Sequence, residues 1–158
     1  MKVLLIGYGR IGKKVASILY AIGAKIFIYD PFISDNDIPD KIKKIELIDG
    51  LRMADVISLH SSGEDLILGQ KEFNLMKRGV YILNVARGGL IDEDALENSL
   101  ISGQIVGAWL DTFQQEPYKG VLIDYNQVIL TPHIGSYTYE GRQKMELEAV
   151  ENLIKSLK

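Results

Sequence analysis

The chain contains no cysteine, which excludes disulfides, thiolate metal sites and a cysteine nucleophile. That absence suits a reducing, cytoplasmic setting. No apolar run approaches the ~20 residues that a membrane-spanning helix needs. The opening Met1-Lys2-Val3-Leu4-Leu5-Ile6 is apolar, but glycines at 7, 9 and 12 cut it too soon for a secretory leader. There is no surplus of basic residues either: 18 lysines and arginines stand against 21 acidic residues, a net charge of −3, with a pI of about 5.4. That balance argues against a nucleic-acid partner, whose phosphates draw a clustered basic surface. Histidine is limited to His60 and His133. The bulk composition is ordinary. A chain of 158 residues, 47% hydrophobic and 25% charged, fits one globular domain with a real core.

What is present begins at once. Lys2-Val3-Leu4-Leu5-Ile6 reads as a buried parallel strand. Gly7-Tyr8-Gly9-Arg10-Ile11-Gly12 follows it and opens a helix. Strand, G-x-G-x-x-G, helix is the dinucleotide-binding fingerprint. Gly7 permits the tight turn, Gly9 lets backbone approach a pyrophosphate, and Gly12 lets the helix pack on the sheet. Asp30 lies 18 residues after Gly12, at the end of the second strand. A carboxylate there accepts hydrogen bonds from ribose hydroxyls and repels a 2′-phosphate, which favours NAD over NADP. The plainer alternative is that Asp30-Pro31 only ends a strand.

Further along, Val15, Ile18, Leu19 and Ile22 recur at helical spacing before Gly23. Strands are expected over 25–29, 45–47, 55–60, 79–84, 105–110 and 128–130. Residues 33–43 read as a surface connection. Helices are expected over 70–77 and from an Asp92 cap to about Ile101. From Ser136 to the chain end, Met145, Leu147, Val150, Leu153, Ile154 and Leu157 mark a long amphipathic helix. Strands alternating with helices predict a single α/β domain: a Rossmann-type, doubly wound, mainly parallel sheet with helices on both faces.

Three strand ends carry unusual polar residues: Asn84-Val85-Ala86-Arg87-Gly88-Gly89, Leu110-Asp111-Thr112-Phe113-Gln114-Gln115-Glu116-Pro117, and Thr131-Pro132-His133-Ile134-Gly135-Ser136. Ligands bind outside the carboxyl ends of strands in such sheets. With these segments the whole chain resembles the nucleotide-binding domain of the D-isomer-specific 2-hydroxyacid dehydrogenases, in a phosphoglycerate dehydrogenase-like branch. The resemblance implies NAD as cofactor and a small 2-hydroxy or 2-keto acid as substrate, 3-phosphoglycerate among them. It implies that Arg87 holds the substrate carboxylate, that His133 is the general acid/base, and that Glu116 hydrogen-bonds His133 and favours its protonated form. It places Arg10 and Ile11 along the pyrophosphate, Val85 and Ala86 by the nicotinamide ribose, and Asp111 at the carboxamide. Ser61 and Gly135 border the cofactor in the same scheme, and His60 is mostly structural. Taken singly, Arg87 also reads as a surface charge, Glu116-Pro117 as a turn and His133 as a structural histidine.

The chain departs from the family in two ways. His60-Ser61-Ser62-Gly63-Glu64 lacks the proline and threonine that often follow the fourth strand. Family enzymes are also roughly twice as long, with a substrate domain built mostly from residues before the glycine loop, so residues 1–158 are expected to be the NAD-binding domain alone. Three readings follow: a 2-hydroxyacid oxidoreductase, a cofactor-binding module that is catalytically incomplete by itself, and a non-enzymatic dimeric scaffold of the corepressor kind. A homodimer is expected, because family dimers form largely through this domain.

Overall fold

The computed structural model describes residues 1–157. Strands β1 (Lys2–Ile6), β2 (Lys25–Tyr29), β3 (Lys43–Lys44), β4 (Val56–Leu59), β5 (Val80–Asn84), β6 (Ile105–Leu110) and β7 (Val128–Leu130) form one sheet. Its order is β3-β2-β1-β4-β5-β6-β7, and every neighbouring pair is parallel. The helices are α1 (Arg10–Ala21), α2 (Leu47–Met53), α3 (Gln70–Leu75), α4 (Glu93–Ile101) and α5 (Tyr139–Ser156).

The unbroken apolar run of β1 follows from its central place. Side chains alternate between faces, and both faces are covered. Leu4 and Ile6 enter one core with Leu51 of α2, Phe73 of α3 and Leu96 of α4. Val3 and Leu5 enter the other with Ala16 of α1, Ile26 and Ile28. Each fully buried aliphatic side chain stabilises the fold by about 1.5–3 kcal/mol relative to exposure. Asp92 caps α4 as expected, its Oδ1 accepting from Ala95 N at 3.1 Å.

Several local expectations are corrected. The third strand lies at 43–44, not 45–47, and Leu47 instead opens α2. Gly50 conceals that helix in the sequence because glycine is a poor helix former. Here a Cβ at Gly50 would fall 2.7 Å from Leu4 Cδ1, so glycine lets α2 lie close on β1. In α1 the apolar spacing misjudges the buried face: Gly12 and Ala16 are buried, whereas Ile18 and Ile22 are exposed. The small residues are what allow α1 to approach the sheet. α5 begins at Tyr139, capped by Thr138 Oγ1, and Lys158 lies outside the described residues. Its apolar stripe is at least half exposed throughout. The sheet face carrying Tyr81, Trp109 and Ile129 is exposed too.

Candidate functional site

The sheet changes winding direction between β1 and β4, where connections leave toward opposite faces and a crevice opens at the carboxyl ends. The crevice here has a volume of about 900 Å³ and is lined by Gly7, Gly9, Arg10, Ile11, Asp30 and Ser61 among others. Gly7 sits at its floor with φ +96°. A Cβ there would lie 2.7 Å from the backbone of His60 and Ser61, so both conformation and space require glycine. A Cβ at Gly12 would collide with the Gly7 carbonyl, which is how α1 sits down on the turn. Gly9 differs: a Cβ there would meet nothing within 4 Å. The space beside Gly9, at the start of α1, is open toward free helix amides, a setting suited to a phosphate.

Asp30 closes the far end of this turn. Its Oδ2 accepts from Tyr8 N at 2.8 Å and its Oδ1 from Phe32 N at 2.9 Å. The carboxylate is therefore oriented and still has lone pairs to spare for hydroxyl donors. His60 supports the wall: its Nε2 meets Ser58 Oγ at 3.0 Å, its Nδ1 is buried without a partner, and burial pushes its pKa down.

A second set of polar residues lies at the ends of β5, β6 and β7. The ladder runs one residue beyond the strands. Asp111 N donates to Asn84 O at 2.9 Å, and Thr131 N donates to Leu110 O at 3.0 Å. Asn84 is buried. Its Oδ1 accepts from Ala86 N at 3.1 Å and its Nδ2 donates to Arg87 O at 2.9 Å, which shapes the Val85–Ala86–Arg87 turn. Arg87 is exposed and its guanidinium donates to Ala86 O at 2.7 Å. Both carboxylate oxygens of Glu116 lie 3.1 Å from His133 Nδ1. The His133 hydrogen bond, aided by Phe113 N, holds the Glu116 carboxyl below its ordinary range. Asp111 is buried. Burial pushes its pKa up, but hydrogen bonds from Thr131, Ile134 and Gly135 outweigh this and leave it lowered.

The structure thus joins Glu116 with His133, Asp111 with Gly135, and Gly7 with the Ser61 backbone. Among the described residues no hydrogen bond or ion pair joins Arg87 to the Glu116–His133 pair. Sequence reasoning passed over Asn84 and Thr131 as site residues, although both stand in the quoted segments. The available signal was a polar residue at a strand end in an otherwise apolar sheet.

Comparison with known proteins gives the family. The family model described as D-isomer specific 2-hydroxyacid dehydrogenase, NAD binding domain, matches residues 1–135. The chain belongs to this family. A hydroxypyruvate reductase of Thermotoga maritima is 38% identical over 160 residues, 97% of this chain and 52% of that protein. D-3-phosphoglycerate dehydrogenase of Escherichia coli is 34% identical over 165 residues, 98% of this chain and 40% of that protein. An NAD-complexed D-isomer specific 2-hydroxyacid dehydrogenase structure from Lactobacillus delbrueckii superposes with TM-score 0.89 at 31% identity, covering 99% of this chain and 53% of that one. The chain spans about half the length of these relatives. The relatives are named as reductases and dehydrogenases rather than as scaffold proteins. Among the described residues no helix is long and apolar enough to cross a membrane.

Proposed function

We propose that the chain binds NAD(H) in the β1–β4 crevice and serves hydride transfer between the nicotinamide and a 2-hydroxy or 2-keto acid, 3-phosphoglycerate included. The observation that carries this is the bidentate contact of Glu116 with His133 Nδ1, on the same sheet edge as the glycine turn. The crevice suits a dinucleotide: open space beside Gly9, an oriented carboxylate at Asp30, and the Ser61 wall. A bound nicotinamide supplies the hydride donor or acceptor. Gly7, Gly9, Arg10, Ile11 and Gly12 hold its phosphates, Asp30 reads a ribose, and Val85, Ala86, Asp111 and Gly135 border the nicotinamide end.

The remaining work falls to three side chains. Arg87 grips the substrate carboxylate with its planar fork. Glu116 keeps a proton on His133 Nδ1, which leaves Nε2 to pass a proton to or from the reacting oxygen. Residues 1–158 act as the NAD-binding domain, and turnover requires a further wall to exclude water, since Arg87 is exposed and the His133 side chain is 49% exposed. The apolar face of Tyr81, Trp109 and Ile129 supports a homodimer, and a cytoplasmic setting belongs to the same proposal.

The test is a titration with NADH and NADPH, read by energy transfer from Trp109, the one tryptophan. Saturable NADH binding with weaker NADPH binding supports the proposal. A folded chain that binds neither overturns it.

A further inference from the structure

We propose that Thr131 is the positioning residue that sets His133 against Glu116, with Trp109 fixing its polarity; this rests on the reading of His133 as the acid/base. The Thr131 hydroxyl stands between two partners. The Trp109 indole Nε1–H donates to Thr131 Oγ1 at 3.0 Å, and Thr131 Oγ1 donates to Asp111 Oδ1 at 2.5 Å. Chemistry alone decides that direction. An indole nitrogen only donates, and an ionised carboxylate only accepts. The single hydroxyl proton therefore points at Asp111.

Asp111 is committed on its other sides as well. Its Oδ1 also takes the amide of Ile134 and its Oδ2 the amide of Gly135, each at 3.0 Å. Those amides follow His133 directly in the chain. Before it, the Thr131 carbonyl accepts from His133 N at 2.9 Å. One buried carboxylate thus ties the 131–135 loop on both sides of its crest. At the crest His133 has φ +54°, a left-handed conformation that persists where neighbours over-determine it. Among the described residues no hydrogen bond joins the Thr131 side chain to the imidazole. Thr131 acts through backbone, by fixing the loop from which the ring reaches Glu116.

The test is nitrogen NMR of the ¹⁵N-labelled chain, whose two histidines make ring signals simple to assign. In the wild type, neutral His133 should carry its proton on Nδ1, facing Glu116, with Nε2 bare. Thr131→Val should lose that preference, the two ring nitrogens moving toward a common averaged shift. Thr131→Ser should restore the wild-type pattern, and Trp109→Phe should fall between. Circular dichroism of each variant shows that it is folded before its ring shifts are compared. Wild-type ring shifts in Thr131→Val overturn the proposal, as does failure of Thr131→Ser to restore them. If Thr131→Val does not fold, unchanged ring shifts in Trp109→Phe overturn it instead. A wild-type chain that binds no NADH overturns the function proposed above and leaves the ring signature to decide this one.

Discussion

Gly88 and Phe113 meet backbone to backbone: a Cβ at Gly88 would strike the Phe113 carbonyl group and Gln114 N. The loop that carries Arg87 and the loop that leads to Glu116 are therefore packed as one unit. Gly88→Ala must push them apart. Because the obstacle is backbone rather than a flexible side-chain tip, we expect a loss of about 1–3 kcal/mol, as for overpacking of a tight interior. Urea denaturation measures this, and a midpoint equal to wild type would contradict it.

Two of the three fingerprint glycines, Gly7 and Gly9, should separate folding from binding. Gly7→Ala places a Cβ at φ +96° and 2.7 Å from the His60 and Ser61 backbone, so we expect at least about 1–3 kcal/mol of lost stability. Gly9→Ala meets no protein atom within 4 Å and should stay within about 1 kcal/mol of wild type. It should nonetheless lose at least about tenfold in NADH affinity. Normal NADH binding by Gly9→Ala would count against a phosphate beside that residue.

Acid should weaken the site through its two lowered carboxylates. For Glu116 and Asp111 the folded state favours the ionised form. Their contribution is fully present above the unfolded carboxylate range, about pH 4, and is lost as pH falls through the lower folded values. Urea midpoints should therefore fall as the pH drops below about 4. Glu116→Gln and Asp111→Asn should each flatten that drop, and curves parallel to wild type would exclude these groups as its source.

Asp30→Asn removes the charge and keeps one oxygen acceptor where Tyr8 N and Phe32 N use two, its Nδ2 being a donor only. The NADH-over-NADPH preference should shrink by at least about tenfold, mostly through a gain in NADPH binding. An unchanged ratio would assign the discrimination elsewhere.

The parts of the fold that strong local patterning dictates were legible in the sequence. β1, the glycine turn and the Asp92 cap all show in composition and spacing, because turn, strand and cap each demand particular residue types. α2 did not show, since Gly50 lowers helix propensity for the sake of contact with Leu4. The buried side of α1 was misread because small residues, Gly12 and Ala16, do the packing there. At the site, the residue types of the three strand ends were legible. Their wiring was not, because the sheet brings Asn84, Asp111 and Thr131 side by side across long sequence separations.

His133 bends the chain as well as facing Glu116. At φ +54° it occupies a region that histidine and asparagine tolerate and that alanine and β-branched residues resist. Truncation at this position therefore changes two things at once, the imidazole and the shape of the loop. His133→Asn removes the imidazole while keeping a residue at ease in the left-handed turn, so the difference between Asn and Ala variants isolates what the backbone shape alone contributes.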